Sequence, residues 1–143
     1  MKTTLLSIVF ILFTVQFVSA QQSVNPATSS PTSFADIRFD KTTHDYGTIY
    51  QGGDGNCVFK FTNTGKEPLV LSSVKSSCGC TVPKWTSEPI LPGKTGEILV
   101  TYDSNRLGTI AKQITVISNA QTSTIVLNIQ GQIIQKPENS QTN

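Results

Sequence analysis

The sequence predicts an all-β protein, a two-sheet sandwich of about seven antiparallel strands in a single domain. Three observations carry the expectation. Apolar residues alternate with polar ones over short runs, as a half-buried strand requires. Turn-forming groups built on Gly, Pro and Asn separate those runs at short, regular intervals. No stretch of the ordered region carries the three-to-four spacing of an amphipathic helix. In Cys57-Val58-Phe59-Lys60-Phe61-Thr62 the odd positions share one face and the even positions the other. Asn63-Thr64-Gly65-Lys66 ends that run, and Pro68 opens PLVLSSV. Pro92-Gly93-Lys94-Thr95-Gly96 forms the next turn, followed by EILVTYD with Ile98, Val100 and Tyr102 on one face. KQITVIS turns Ile114 and Val116 inward, and TIVLNIQG does the same for Ile125, Leu127 and Ile129. IRFD near Ile37 and a short strand from Tyr46 to Ile49 complete the set. The expected core is Phe59, Phe61, Leu69, Leu71, Ile98, Val100, Ile114, Val116, Leu127 and Ile129. Many short strands in about 100 residues favour a sandwich over a barrel.

The ends have a different character. Within the 143 residues, Lys2 precedes the apolar run LLSIVFILFTVQFV, and Val18-Ser19-Ala20 offers small residues where a signal peptidase reads. The run is shorter than a membrane-spanning helix needs and contains Ser7, Thr14 and Gln16. Residues 1–20 are therefore expected to be a signal peptide. The residue directly after the cleavage point is Gln21 and not cysteine, so a lipid anchor is not indicated. Residues 21–33, QQSVNPATSSPTS, are too polar to order themselves and are expected to be a linker, with a similar tail over 136–143. The folded domain is expected over 34–135, in an exported protein that is periplasmic or secreted.

Charge narrows the partners. Of eleven Lys and Arg, Lys2 lies in the leader, which leaves ten against nine Asp and Glu. A near-neutral chain without a basic cluster argues against nucleic acid, and no membrane span is expected after the leader is removed. The partner class left is an unspecified protein or cell-envelope component, with any small-molecule ligand unknown.

Candidate chemistry concentrates in Ser77-Cys78-Gly79-Cys80-Thr81, which holds two of the three cysteines. In an extended chain the two Cα atoms would stand about 6.6 Å apart. Disulfides span about 4.4–6.8 Å, so a bond between them needs a bend, which Gly79 would ease. Chelation of one soft metal, Cu(I) or Zn, demands less of the backbone. His44, the only histidine, is the one other ligand type at hand, but a lone histidine gives no ligand spacing and reads more simply as a strand-pinning hydrogen-bond partner beside Asp45. Cys57 alternates with two phenylalanines and reads as a small core residue, with a bridge from Cys57 to Cys78 or Cys80 left open. Trp85 is expected to cap the core, or else to stand exposed as a partner contact. Gly52-Gly53-Asp54-Gly55 lacks the helix and Lys-Ser/Thr of a phosphate loop and reads as a hairpin connection. Asp45, Glu97 and Asp103 show no paired-carboxylate spacing. No catalytic residue and no cofactor are expected.

Taken in order, HDYGTI at His44, FKFTNTG at Phe59, PLVL at Pro68, SCGCTVP at Ser77, PILPG at Pro89, ILVTYD at Ile98 and ITVISN at Ile114 resemble the exported bacterial domain-of-unknown-function family 1573, frequent in Bacteroidetes-type bacteria. The chain is also similar, more distantly, to the immunoglobulin-like domains of the sperm-protein and cilium-associated class, which share the N-T-G-x-x-P-L turn and the later P-G turn. The resemblance implies an immunoglobulin-like sandwich and export, and no established activity. Cys57 departs from it, standing where an ordinary apolar residue is usual. The resulting expectation is a binding or structural module without enzymatic activity. The alternative is a thiol or metal site on Cys78 and Cys80, binding Cu(I) or Zn or exchanging disulfides.

Overall fold

Eight strands are present in the computed structural model, which describes residues 34–137. They are β1 (Ile37–Phe39), β2 (Thr43–Tyr50), β3 (Asn56–Asn63), β4 (Leu71–Ser76), β5 (Thr81–Trp85), β6 (Thr95–Tyr102), β7 (Gly108–Ser118) and β8 (Thr124–Ile134). One sheet has the order β1-β3-β6-β5 and the other β2-β8-β7-β4, so the architecture is an all-β sandwich. The expected leader and most of the two polar terminal segments lie outside the described residues.

All ten residues of the expected core are buried, with Phe59, Leu69, Ile98, Val100, Ile114 and Leu127 fully inaccessible. Alternation makes this work. On β3, Cys57, Phe59, Phe61 and Asn63 all face inward, as Ile98, Val100 and Tyr102 do on the neighbouring β6. Phe61 packs its ring against Phe39 with centroids 5.4 Å apart and lies across Gly96, where a Cβ would come within 2.3 Å of the Phe61 ring. The absent side chain at 96 is the slot that the phenylalanine fills.

Three expectations are corrected. The eighth strand is β5, whose Pro83 argues against a strand interior; β5 lies at a sheet edge, where proline is tolerated. The sandwich is not wholly antiparallel, because β2 runs parallel to β8. β1 and β2 are joined by only residues 40–42 but lie in different sheets, so the chain crosses layers there instead of folding back. The Gly52–Gly55 segment is likewise no hairpin: it carries the chain from β2 in one sheet to β3 in the other. Its packing is close, since a Cβ on Gly55 would come within 2.2 Å of the Tyr102 carbonyl oxygen.

β2 also carries a bulge. The register with β8 shifts between Asp45 and Thr48, with Gly47 at φ +61°. The Gly47 amide donates to Asp45 Oδ1 at 2.7 Å, and Gln130 Nε2 donates to Asp45 Oδ2 at 2.9 Å. This is the physical content of the HDYG segment: an aspartate that fastens a kink in an edge strand.

Candidate functional site at the corner between the sheets

The cysteine pair lies where the chain changes sheets. β4 is the edge of one sheet and β5 the edge of the other, and residues 77–80 turn between them. The turn brings the two Cα atoms to 5.3 Å, and Cys78 and Cys80 are joined by a disulfide. An extended segment would have held them about 6.6 Å apart, which is why spacing alone favoured chelation. Gly79 contributes no special backbone: its φ is not positive, and a Cβ there would meet nothing within 4 Å. Gly79→Ala is therefore expected to change the melting temperature by no more than a degree or two, a small surface effect; a large loss in a thermal melt would mean that the turn needs glycine after all.

Hydrogen bonds fix the corner independently of the sulfur bridge. The Ser76 hydroxyl bonds both the Cys78 carbonyl and, at 2.7 Å, the Thr81 carbonyl. The Asp103 amide donates to the Cys80 carbonyl at 2.8 Å, and the Ser77 amide to Gln113 at 2.8 Å. Ser77 Oγ accepts from the Gln113 amide at 3.2 Å. Cys80 is buried and Cys78 only partly so. Thr81, 2% exposed, sets its hydroxyl 3.7 Å from Cys78 Sγ and 3.9 Å from Cys80 Sγ. Bridged sulfurs carry no hydrogen, so the hydroxyl is the donor in both contacts. Beside the corner, the Asp103 carboxylate is bound by Arg106 Nε at 3.1 Å and by the Asn105 amide and side chain. The Arg106 contact, then the Asn105 bonds, hold that carboxyl below its usual range.

The other candidates do not join this site. Cys57 forms no bridge and is buried. It sits on β3, and β6 stands between β3 and β5. Two interstrand steps of about 4.8 Å exceed the Cα separation that a disulfide allows, so the bridge from Cys57 to Cys78 or Cys80 that the sequence left open is corrected. Burial pushes the Cys57 thiol up, against the opposing hydrogen bond from Tyr46. Burial raises the Tyr46 phenol too, and its hydroxyl donates to the Gly55 carbonyl at 2.8 Å. This is an inert core thiol.

His44 is equally remote. It lies on β2, the edge opposite β4, with β8 and β7 between. Three steps of about 4.8 Å place it roughly 14 Å across the sheet from the corner. Its Nδ1 accepts from the Lys41 ammonium at 2.9 Å and its ring meets Tyr46 edge-on at 4.5 Å. Burial, then the Lys41 charge, draws the imidazole below its usual range, while Asp45 pulls the other way. The metal reading of Cys78, Cys80 and His44 is therefore corrected: the sulfurs are bonded to each other and the imidazole is three strand steps away on the far edge. Among the described residues no group of three or more His, Cys, Asp or Glu is arranged to hold a metal.

Trp85, expected first as a core cap, ends β5 paired with Ile98 yet remains 38% exposed. It lines an open groove of about 510 Å³ between the two sheet edges, with Leu71, Ser72, Pro83, Lys84 and Ser87. Val82 and Leu99, on the outer face of the same sheet and diagonal to each other across β5 and β6, are also exposed.

Sequence reasoning passed over two residues. Thr81 was legible only as the residue after Cys80. Asn63 was legible in the N-T-G turn, although its role was not. Its buried amide donates to the carbonyls of Glu67 and Ile90, both at 2.8 Å, and its Oδ1 accepts from the Gly65 amide at 2.9 Å.

Comparison with known proteins agrees with this architecture. The model of the family described as protein of unknown function, DUF1573, matches residues 37–133. No curated protein matches the chain. A protein of unknown function from Porphyromonas gingivalis W83 superposes with a TM-score of 0.61 at 20% identity, over 68% of this chain and 46% of that one. This chain thus spans less than half the length of that structure. The ASH/PapD-like domain 7 of human CEP192 superposes with a TM-score of 0.59 at 14% identity, over 80% and 94% of the two chains. The secreted serine protease VesC from Vibrio cholerae gives a TM-score of 0.55 at 11% identity, over 72% of this chain and only 24% of the protease. These likenesses establish an immunoglobulin-like fold.

Proposed function

The chain belongs to the family of unknown function DUF1573, and from that premise we propose that it is an exported immunoglobulin-like module that binds a protein or cell-envelope partner and catalyses no reaction. The observation that carries the reading is the open groove between the edges of the two sheets, lined by the half-open Trp85 with Leu71 and Pro83. On the outer face Val82 of β5 is 50% exposed and Leu99 of the adjacent β6 is 38% exposed, while Trp85, 38% exposed, lies on the other face of β5 across from Ile98, in the groove. A tryptophan half-open in a groove beside a strand with one unpaired edge is the kind of surface that takes an extended protein segment. The interior polar groups have other work. Among the described residues the buried polar ones are Asn63, Thr81, Ser104 and Ser118, and each is bound to a turn or to the disulfide.

A photo-crosslinker placed at Val82 in the exporting cell is expected to give discrete protein adducts. The same probe at Ala111, exposed on the other sheet, is expected to give none, and Leu99→Ser, diagonal to Val82 on the same outer face, should abolish the Val82 adducts with little change in the melting temperature. Equal labelling from both positions, or adducts that survive Leu99→Ser, would refute the edge as the contact. Export itself rests on Lys2, the apolar run and Val18-Ser19-Ala20. The expected mature protein begins at or near Gln21, and a mass retaining Met1 or Lys2 would sink that part.

A further inference from the structure

We propose that the Cys78–Cys80 disulfide is a thiol–disulfide exchange site that accepts two electrons from an exposed dithiol of another protein. The proposal is independent of the binding edge described above. A bond between residues two apart closes a very small loop, and loop-closure stabilisation grows with loop length. The corner is already fastened by Ser76, Ser77 and the Asp103 amide. The bridge therefore adds little to holding the fold, and its reduction leaves the frame in place.

The chemistry around the sulfurs is asymmetric. Cys78 is partly accessible, so an incoming thiolate attacks Cys78 Sγ. A new sulfur–sulfur bond forms to Cys78, and the Cys78–Cys80 bond breaks with its electron pair leaving on Cys80 Sγ. The second thiolate of the partner then attacks its own sulfur in the mixed disulfide and releases Cys78 as a thiolate. The partner dithiol ends as a disulfide, Cys78 and Cys80 end reduced, and the two protons of the partner's thiols pass to solvent or to the new thiolates. Thr81 acts as the positioning residue. Among the described residues its buried hydroxyl makes hydrogen-bond contacts only with sulfur, and a bridged sulfur is a weak acceptor. A thiolate is a strong one, so the contact strengthens as the bond breaks. Stabilising the reduced form makes a disulfide more oxidising, and a lower leaving-group pKa speeds exchange. Cys57 takes no part, being buried and separated from the corner by β6.

The test uses the exported full chain, with dithiothreitol as reductant and mass-tagged alkylation as the readout. Reduction of Cys78–Cys80 is expected in the native protein, with the melting temperature and near-ultraviolet spectrum nearly unchanged. Thr81→Val is expected to slow reduction about tenfold, and Thr81→Ser to restore it within about twofold. Reduction that proceeds only as fast as global unfolding, or identical rates for wild type and Thr81→Val, would overturn the proposal. A second measurement needs no variant: the ultraviolet titration of the reduced protein should show a thiolate forming below the ~8.5 of free cysteine. With Cys57 set aside, since burial pushes its thiol up, the absence of any thiolate forming below that value would overturn it equally.

Discussion

Phe61→Ala is expected to remove about 3–5 kcal/mol of stability, a large share of the 5–15 kcal/mol that holds a typical domain together. Phe61 is 1% exposed, sits on β3 between β1 and β6, and packs on Phe39. Its ring lies over Gly96, which has no side chain to lean into the space left behind. The cavity therefore cannot collapse locally, and the cost stays near the upper part of the range for such truncations. For a domain of this size the melting temperature should fall by roughly 12 °C or more. Phe59→Ala, on the same face and fully buried, should behave alike. A thermal melt that left either variant unchanged would mean that the inward face of β3 had been misassigned.

Asn63→Ala is expected to have the second-largest effect, about 3 kcal/mol or more, through polar groups instead of volume. The side chain is wholly buried and ties three places together: Glu67 O, Ile90 O and the Gly65 amide. Alanine deletes two donors and one acceptor at once, removing three hydrogen bonds worth about 1 kcal/mol each and leaving part-buried backbone groups less well satisfied. Leu69 and Ile90, whose amides and carbonyls are exchanged at 2.9 and 2.7 Å, form the bridge that this amide stabilises. Asn63→Asp should fare no better, because it keeps the acceptor, loses both donors and places a charge in the core. Thr64→Ala is the control. Its hydroxyl bond to Asp36 is exposed, so a loss of about 0.5 kcal/mol or less is expected in urea denaturation. Equal losses for Asn63→Ala and Thr64→Ala would show that the N-T-G turn is a surface feature.

Much of the fold was legible in the residues because strand periodicity is local. Side chains alternate across a strand whatever sheet the strand joins, so Cys57-Phe59-Phe61, Ile98-Val100-Tyr102 and Ile114-Val116 announced their inward faces directly. Turns were legible for the same reason: Asn63-Thr64-Gly65 and Pro92-Gly93 carry their conformation in their own chemistry, and Gly93 does take a positive φ. The order of motifs was enough to indicate the family to which the chain belongs.

What the tertiary structure alone decided was pairing. Nothing in Gly52–Gly55 distinguishes a hairpin from a passage between layers, because that depends on which distant strand offers a free edge. β2 found such an edge on β8 and ran parallel to it, a contact between segments about 80 residues apart in the chain. β5 hid behind Pro83, whose penalty vanishes at an edge that only assembly creates. The cysteines make the same point. Their spacing left chelation, a bridge to Cys57 and mutual bonding all open. The turn between β4 and β5 drew Cys78 and Cys80 to 5.3 Å, while β6 kept Cys57 away and the width of a sheet kept His44 away. Sequence spacing limits how far apart two nearby residues can be; only the path of the chain between two sheets determines which of them meet.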